Sequence, residues 1–202
     1  MKEHSKLARK YDKQAWFFNR QPKDSRLNDW RQRLLRDAKG DVLELAAGTG
    51  ANFPYYPQGV SVTAVDISSN MLQYAKKNAK KAQIDASFIL GNVEEIEFPE
   101  HRFDTIVSTL SFCGYEHPIS LFNQLADWLK PGGQILLLEH GISTQPILKQ
   151  VLKVLDPVNH QLVGCHLKRD MQELIEISRL DIVHMESHLK GIIRLMWVVP
   201  ET

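Results

Sequence analysis

Residues 42–50 read Val-Leu-Glu-Leu-Ala-Ala-Gly-Thr-Gly, and residues 62–66 read Val-Thr-Ala-Val-Asp. The first apolar run ends in a small turn that contains two glycines, and the second ends in a carboxylate. Two parallel strands joined by a crossover helix would bring that turn and Asp66 to the same edge of a sheet. There a ligand can approach the backbone closely, and the carboxylate can hold both hydroxyls of a ribose. The pattern therefore predicts a site for an adenosine-containing cofactor.

The spacing of the glycines argues against two common nucleotide-binding turns. A dinucleotide turn needs a third glycine where Phe53 stands, and a P-loop needs Gly-Lys followed by Ser or Thr, which occurs nowhere in the chain. What remains is Glu44, Gly48 and Gly50 in the order E-x-x-x-G-x-G, followed by Asp66. This order resembles the class I S-adenosylmethionine-dependent methyltransferases. In that family the glycine turn packs against the methionine part of the cofactor, and the carboxylate after the second strand binds the ribose.

The composition is that of an ordinary globular domain. The chain has 202 residues, of which 43% are hydrophobic and 24% charged, and its formal net charge is +1, so one domain is expected and nucleic acid is not indicated as a partner. Cys113 and Cys165 are the only cysteines and lack zinc-binding spacing, so neither a metal site nor a disulfide framework is expected. No apolar run reaches 18 residues and the N-terminus is polar. The sequence therefore predicts no membrane span, no signal peptide and a cytoplasmic location.

Apolar and amphipathic segments alternate along most of the chain. This alternation indicates an α/β fold: a Rossmann-like, doubly wound, mostly parallel seven-stranded sheet with helices on both faces. Strands are expected at 41–46, 61–65, 86–90, 103–108, 134–139, 182–187 and 192–199. Helices are expected at 5–20, 24–38, 52–56, 69–82, 118–129, 145–155 and 170–178, and residues 131–133, Pro-Gly-Gly, would end the helix before strand 134–139.

A single domain is expected, with four parts that differ in their roles. They are a helical cap (1–38), a cofactor-binding core (39–140), an insert that forms the acceptor site (141–180) and two closing strands (181–202).

The resemblance to the methyltransferases implies roles for residues of the glycine turn. Glu44 would neutralise or order the charged end of S-adenosylmethionine, directly or through water. Gly48 and Gly50 would pack against its methionine part. Ala46 stands where the family most often has the first glycine, and an alanine fits there if its φ is negative.

The segment after the second strand would hold the adenosine part. The resemblance implies that Asp66, followed by Ile67, binds the ribose. The alternative role of Asp66 is to cap the next helix, but Ser69 can supply that cap and leave Asp66 free. Met71 falls where the family often has an apolar contact to the adenine, although a core methionine fits the pattern nearly as well.

Further cofactor contacts are implied at later strand ends and in the first helix. Asn92 would accept a hydrogen bond from the adenine amino group, where the family usually has an acidic residue, and Val93 would offer its backbone N–H. Thr109 and Leu110 would meet the methionine part. Tyr11 would touch the carboxylate of the cofactor, or else pack in the core.

More specific segments resemble the branch of the family whose animal members are thiol S-methyltransferases. These segments are 48–53, 110–113, 138–140, 155–157 and 164–169. A thiol acceptor need only become a thiolate, so a nearby histidine suffices as a base or charge partner. His140, just past the fifth strand, is placed for this role, and His160 and His166 lie in the segment expected to form the acceptor pocket. Each of them can instead be a surface or hydrogen-bonded histidine.

Other acceptors and other functions stay open. A quinol, a phospholipid headgroup or an amine can replace the thiol. The apolar segment 146–155 carries Lys149 and Lys153, so it can contact a membrane surface or pack on the domain as a lid. A binding module without catalysis is a further alternative. RNA is disfavoured as an acceptor because there is no basic excess and residues 109–112 do not form an N-P-P-Y-type motif.

Overall fold

The computed structural model describes residues 2–20 and 25–201. Its helices in these ranges are α1 (Lys2–Arg20), α2 (Ser25–Leu35), α3 (Ser69–Ala82), α4 (Pro118–Trp128), α5 (Pro146–Val163) and α6 (Met171–Glu176). Its strands are β1 (Asp41–Leu45), β2 (Ser61–Asp66), β3 (Asp85–Leu90), β4 (Phe103–Thr109), β5 (Leu129–His140), β6 (Leu180–His188) and β7 (Ile193–Pro200). The start that the sequence predicted for the second helix, residue 24, lies outside the described ranges.

The seven strands form one sheet in the order β3-β2-β1-β4-β5-β7-β6. The pairs among β1 to β5 are parallel, whereas β7 pairs antiparallel with both β5 and β6. The predicted mostly parallel, seven-stranded sheet is therefore confirmed, with a mixed edge. That edge is antiparallel because only residues 189–192 separate β6 from β7, and so short a connection allows a hairpin but not a crossover.

Helices cover both faces of the sheet, as predicted. On one face, buried residues of α2 and α3 pack with Val42 of β1 and Val62 of β2. On the other face, buried residues of α4 and α6 pack with Leu43 and Ile106. The strand order reverses between β1 and β4, and ligands of open α/β sheets bind beyond the carboxyl ends of the strands at such a point.

Some predicted bounds are wrong for local reasons. The segment predicted as a helix at 52–56 is a single 3-10 turn, Phe53–Tyr55, which contains Pro54. The fifth strand begins at Leu129 and not at 134, so residues 131–133 lie inside β5. The pairing of β4 with β5 is irregular there, and Gly132 takes a positive φ of 76°. Pro-Gly-Gly thus bends the strand and does not separate it from α4.

Helix α5 continues past residue 155, where the sequence predicted its end. Pro157 lies within the helix and has no backbone N–H to donate. Because Pro157 is on the exposed face of the helix, water can hydrogen-bond the carbonyl that loses this donor. The helix ends at Gly164, whose φ of 83° permits the left-handed cap. Neither α5 nor any other helix among the described residues combines the length and apolarity needed to cross a membrane.

Candidate functional site

The glycine turn after β1 has one packed glycine and one open glycine. Gly48 and Gly50 have φ of 56° and 79°. A Cβ on Gly50 would lie 2.4 Å from the ring of Phe53, so this position has room only for glycine. A Cβ on Gly48 would meet no atom closer than 3.9 Å. The turn therefore offers open backbone beside Gly48, and this space suits a ligand of the kind that the sequence predicted.

Two residues other than glycine also adopt left-handed backbone at this edge. Ala46 has φ of 46° and Leu110 has φ of 56°. The expectation that Ala46 keeps a negative φ is wrong, because the chain turns sharply from β1 into the glycine turn. A left-handed conformation costs an L-residue other than glycine about 1–2 kcal/mol. Strain of this size is characteristic of functional sites, where the surrounding structure enforces it.

Asp66 ends β2 and faces the glycine turn. Its Oδ2 accepts a hydrogen bond from the N–H of Gly48 at 2.8 Å, and its Oδ1 accepts one from the N–H of Ser68 at 2.8 Å. The expectation that Ser69 caps α3 and leaves Asp66 free is wrong, since Ser68 is the cap and accepts the N–H of Met71. Burial raises the pKa of Asp66, and the N–H groups oppose that rise. Each carboxylate oxygen keeps a second lone pair for a hydroxyl.

Glu44 lies at the centre of a buried polar network. Its Oε1 accepts from Asn52 Nδ2 and its Oε2 from the hydroxyl of Tyr56, each at 2.9 Å. Asn52 Nδ2 also donates to Thr109 Oγ1 at 3.1 Å, and Asn52 Oδ1 accepts from Arg31 Nε at 3.1 Å. Burial raises the pKa of Glu44 from 4.5 to about 7, although its two hydrogen bonds lower it.

Sequence reasoning missed the partners of Glu44. A buried carboxylate needs donors, and Asn52 and Tyr56 follow the glycine turn closely enough to have been candidates. Arg31 comes from α2, and nothing in its spacing indicated this position.

The residues predicted to contact the adenine differ in their exposure. Met71 and Val93 are buried at 5% and 3% exposure, so both pack in the interior, and Ile67 is half-buried. Asn92 Oδ1 accepts the N–H of Glu94 at 3.2 Å and so caps the 3-10 turn Val93–Glu95. These residues line the neighbourhood of β2 and β3, and their contacts with a cofactor remain predictions.

Helix α1 lies across the start of α3. Asp12 Oδ1 accepts from Ser68 Oγ at 2.6 Å and from the N–H of Asn70 at 3.0 Å, and Asn70 Nδ2 donates back to the Asp12 carbonyl. The negative charge of Asp12 also raises the pKa of Asp66. The first helix therefore covers the predicted ribose position, which the sequence did not tie to Asp12.

Tyr11 is half-buried and points along the same edge toward the segment after β4. A Cβ on Gly114 would lie 3.7 Å from its hydroxyl oxygen. Burial raises the pKa of Tyr11 to about 12, and the charges of Cys113, Cys165 and Asp66 add to the rise. A Cβ on Gly164 would lie 3.6 Å from the same oxygen, so the Tyr11 hydroxyl lies next to both segments that carry the cysteines.

The three predicted histidines form two different groupings. His140 Nε2 lies 2.8 Å from Cys165 Sγ. His160 is exposed and stacks on His166 with ring centroids 4.0 Å apart. His166 Nδ1 lies 3.2 Å from Asp156 Oδ2. The structure therefore places His140 against a thiol, whereas His160, in the last turn of α5, stacks on His166 in the loop that follows.

Cys113, His140 and Cys165 form a cluster that the sequence spacing did not indicate. Their two Sγ atoms and a histidine nitrogen lie within 4.8 Å of one another. The hydrogen bond from Cys113 lowers the pKa of Cys165 to about 5, and His140 contributes to the shift although burial opposes it. The pKa of Cys113 is raised, chiefly by its hydrogen bond to Cys165 and by burial. The linear spacing of the cysteines indicated no metal site, whereas the fold brings both of them together with His140.

The loop that carries Cys165 is held by α5. Asp156 Oδ1 accepts the N–H groups of Leu167 and Lys168 at 2.7 and 3.1 Å. Asn159 Nδ2 donates to the Cys165 carbonyl at 2.6 Å. Burial raises the pKa of Asp156, but its hydrogen bonds to the His166 and Lys168 side chains and to the N–H groups of Leu167 and Lys168 lower it to about 2.

Glu139 is a second buried carboxylate that the sequence left without a role. Its Oε1 accepts from Ser108 Oγ at 2.7 Å and from the N–H of Ser111 at 3.2 Å, and its Oε2 accepts the N–H of Phe112 at 3.3 Å. Burial raises its pKa to about 7. Glu139 therefore fixes the chain just after β4, next to the segment that carries Cys113.

Two surface clefts lie away from this edge. One is lined by residues 58–61 and 83–85, and the other by residues of α6 and β6. Neither lining includes a residue predicted for the cofactor or acceptor. The candidate site is the carboxyl edge beneath α1, where Asp66 meets the open glycine turn.

Comparisons with known proteins find similarity to methyltransferases. Residues 43–137 match the family described as "Methyltransferase domain". The chain is 33% identical to thiol S-methyltransferase TMT1B of Rattus norvegicus over 164 residues, which are 75% of this chain and 66% of that protein. It is 28% identical to the mitochondrial methyltransferase OMS1 of Saccharomyces cerevisiae over 199 residues, which are 89% of this chain and 42% of that protein.

The fold is also found among solved structures. That of the mitomycin 7-O-methyltransferase MmcR aligns with a TM-score of 0.73 at 17% identity, covering 98% of this chain and 60% of that one. This likeness shows the fold alone. The chain spans only part of the length of both curated relatives.

Proposed function

We propose that this chain, which belongs to the class I methyltransferase family, transfers a methyl group from S-adenosylmethionine to the thiol of a small-molecule acceptor. The observation that carries the proposal is the pairing of Asp66 with the open glycine turn. The carboxylate is fixed at 2.8 Å from the N–H of Gly48, so an acidic group and accessible backbone lie side by side.

The residues at this edge suit the parts of the cofactor. Asp66 would hold the ribose hydroxyls through its remaining lone pairs. The open backbone at Gly48 would face the methionine part, and the network around Glu44 would order its charged end. When bound, S-adenosylmethionine supplies an electrophilic methyl group on a sulfonium and leaves as S-adenosylhomocysteine. What the protein then adds is mainly positioning of the nucleophile against that methyl group.

A thiol is the acceptor that the region around β5 favours. His140 and two cysteines converge there, beyond the carboxyl end of β5 and beside Tyr11. His140 Nε2 lies 2.8 Å from Cys165 Sγ, so an imidazole that can act as base or charge partner for a thiol is present at this edge. The relative from Rattus norvegicus, whose name states thiol S-methylation, supports the same acceptor class.

The first test concerns the cofactor. We expect Asp66→Ala to weaken the binding of S-adenosylhomocysteine at least tenfold, about 1.4 kcal/mol, because the ribose hydroxyls lose their acceptor. Isothermal titration calorimetry measures this, with Asp181→Ala as the control, since Asp181 is exposed on β6. Unchanged affinity in Asp66→Ala would exclude the ribose role.

The second test concerns the acceptor. The purified protein is incubated with methyl-labelled S-adenosylmethionine and a panel of thiols, quinols, amines and lipids, and the transferred label is counted. Label on thiols supports the proposal. Label only on a quinol, an amine or a lipid would keep the cofactor and replace the acceptor. Cofactor binding without transfer to any compound would contradict catalysis on these classes.

A second candidate acceptor, a membrane-borne quinol or phospholipid headgroup, is favoured by the surface of α5. Among the side chains of this helix that the structure describes, five apolar ones are exposed, with Ile147 at 83% and Val154 at 76%. The five are Ile147, Val151, Val154, Leu155 and Val158. Lys153 is exposed among them, and such a helix can rest in the headgroup region of an anionic bilayer. Sedimentation with anionic vesicles tests this idea, and equal binding by Val154→Asp would contradict it.

A further inference from the structure

The cluster of Cys113, His140 and Cys165 is built from three separate segments. Cys113 lies in the 3-10 turn Phe112–Gly114 after β4, His140 is the last residue of β5, and Cys165 lies in the loop after α5. Their potential ligand atoms are Sγ, a ring nitrogen and Sγ, all within 4.8 Å of one another. In a tetrahedral zinc site with metal–ligand bonds of about 2.0–2.3 Å, such atoms lie about 3.5–4 Å apart. Small side-chain adjustments therefore suffice.

The backbone around these residues is fixed by contacts that do not use the three ligand atoms. The N–H of His166 donates to the Cys113 carbonyl at 3.1 Å, which joins the two cysteine segments directly. The guanidinium of Arg169 donates to the carbonyls of Phe112 and Tyr115 and so clamps the same turn. Because the segments are already held together, a metal ion would enter a preformed set of ligands.

The positive charge of Arg169 also suits this set. Two thiolates balance the charge of a divalent ion, and one further thiolate would leave a net negative charge. The guanidinium of Arg169 lies beside this set, because it donates to the carbonyls of Phe112 and Tyr115 in the turn that carries Cys113. The arrangement can thus hold a third sulfur anion.

We propose that Cys113, Cys165 and His140 bind one zinc ion and that its fourth coordination position takes the sulfur of the acceptor thiol. Soft sulfur ligands with one imidazole favour zinc over hard cations. Three protein ligands with one open position are the arrangement of a catalytic zinc, whereas structural sites use four. This inference rests on the proposed thiol acceptor.

The chemical step balances without an oxidant. The acceptor thiol releases its proton to solvent as its sulfur binds the metal. A lone pair of that sulfur forms the new bond to the methyl carbon while the bond from the sulfonium sulfur to that carbon breaks. The products are a neutral thioether and S-adenosylhomocysteine. A thioether is a weaker zinc ligand than a thiolate, so the product would leave and free the fourth position.

The metal site is tested first without cofactor or acceptor. The protein is reduced, stripped with a chelator and titrated with Zn²⁺ alone by calorimetry, and we expect one ion to bind per chain. Cys113→Ser, Cys165→Ser and His140→Ala should each weaken binding at least about hundredfold. His184→Ala is the control, since His184 lies on β6 and is exposed. Thermal unfolding confirms that each variant is folded.

A second readout does not depend on the stability of the variants. Co²⁺ replaces Zn²⁺ in the wild-type protein, and its visible spectrum reports thiolate ligands and geometry. We expect a spectrum of four-coordinate cobalt with sulfur ligands that changes when a small thiol is added. Failure to bind Zn²⁺, equal binding by Cys165→Ser, or a Cys113–Cys165 disulfide that persists in the reduced, zinc-treated protein would overturn the site. A cobalt spectrum that no thiol alters would overturn the open position.

Methyl transfer separates this inference from the proposed function. We expect the chelated protein to bind S-adenosylhomocysteine normally but to methylate thiols at least tenfold more slowly, with recovery on adding Zn²⁺. Equal rates for chelated and zinc-loaded protein would overturn the metal's role while leaving thiol methylation in place. If zinc-loaded protein methylates no thiol but another acceptor, the proposed acceptor fails, and the zinc titration still decides the metal site by itself.

Discussion

At the scale of single residues, the glycine turn shows how backbone strain accompanies the candidate site. Ala46 adopts φ of 46°, while its neighbour Ala47 is buried and has no positive φ. We expect Ala46→Gly to raise the free energy of unfolding by about 0.5–1 kcal/mol, because relief of the left-handed strain exceeds the entropy that glycine adds to the unfolded chain. Urea unfolding measures it.

Ala47→Gly is the matched control for that substitution. It relieves no strain, so the added freedom of the unfolded chain should lower the free energy of unfolding by up to about 1 kcal/mol. Equal destabilisation by both substitutions would mean that Ala46 is not strained.

At the scale of elements, α5 and the loop after it act as one unit through Asp156. Its carboxylate is 2% exposed and holds the N–H groups of Leu167 and Lys168. We expect Asp156→Ala to speed amide hydrogen exchange at these two residues at least tenfold and to cost about 1–3 kcal/mol of stability, because two backbone N–H groups lose their hydrogen bonds to a charged acceptor. Exchange measured by NMR tests this, and Asp181→Ala should leave both amides unchanged. Protected amides in Asp156→Ala would show that the loop is held by other contacts.

The elements also show where sequence reasoning reaches its limit. The ends of β1 and β2 could be predicted because each ends in a local pattern: two glycines in one case and Asp66 in the other. The contact of Asp12 with Ser68 joins residues far apart in sequence, and no repeat or spacing encodes it. Zinc motifs are recognised by closely spaced ligands, so a cluster assembled from three separate segments at the sheet edge escapes that search.

At the scale of the whole molecule, stabilising and destabilising carboxylates lie at opposite ends of the sheet. At the amino end, Lys130 lies 2.9 Å from Asp41 and 2.7 Å from Asp104, and these bonds lower the pKa of both carboxyls. At the carboxyl end, burial raises the pKa of Glu44 and Glu139 to about 7. The edge that carries the candidate site therefore holds two buried carboxyl groups whose ionisation destabilises the fold.

The two ends predict a stability that peaks in mild acid. Groups with lowered pKa, such as Asp41 and Asp104, stabilise the fold above their unfolded pKa near 3.8 and lose that contribution as the pH falls. Glu44 and Glu139 act in the opposite direction, because their carboxyl groups stay protonated to a higher pH in the folded state than in the unfolded state. The free energy of unfolding therefore falls as the pH rises from 4.5 to about 7.

Glu44→Gln separates this electrostatic cost from the role of the carboxylate in function. The amide keeps an acceptor for Asn52 and gains a donor toward the Tyr56 hydroxyl oxygen, so the network survives without the buried charge. We expect it to raise the free energy of unfolding at pH 8 by about 1–3 kcal/mol, to change it little at pH 4, and to flatten the fall between these values.

The same variant should bind S-adenosylmethionine more weakly, because the charged end of the cofactor loses its partner. Denaturant unfolding across this pH range, with calorimetry at pH 8, measures both effects. An unchanged slope would mean that folding does not raise the pKa of Glu44. Stabilisation without loss of affinity would leave Glu44 with a purely structural role.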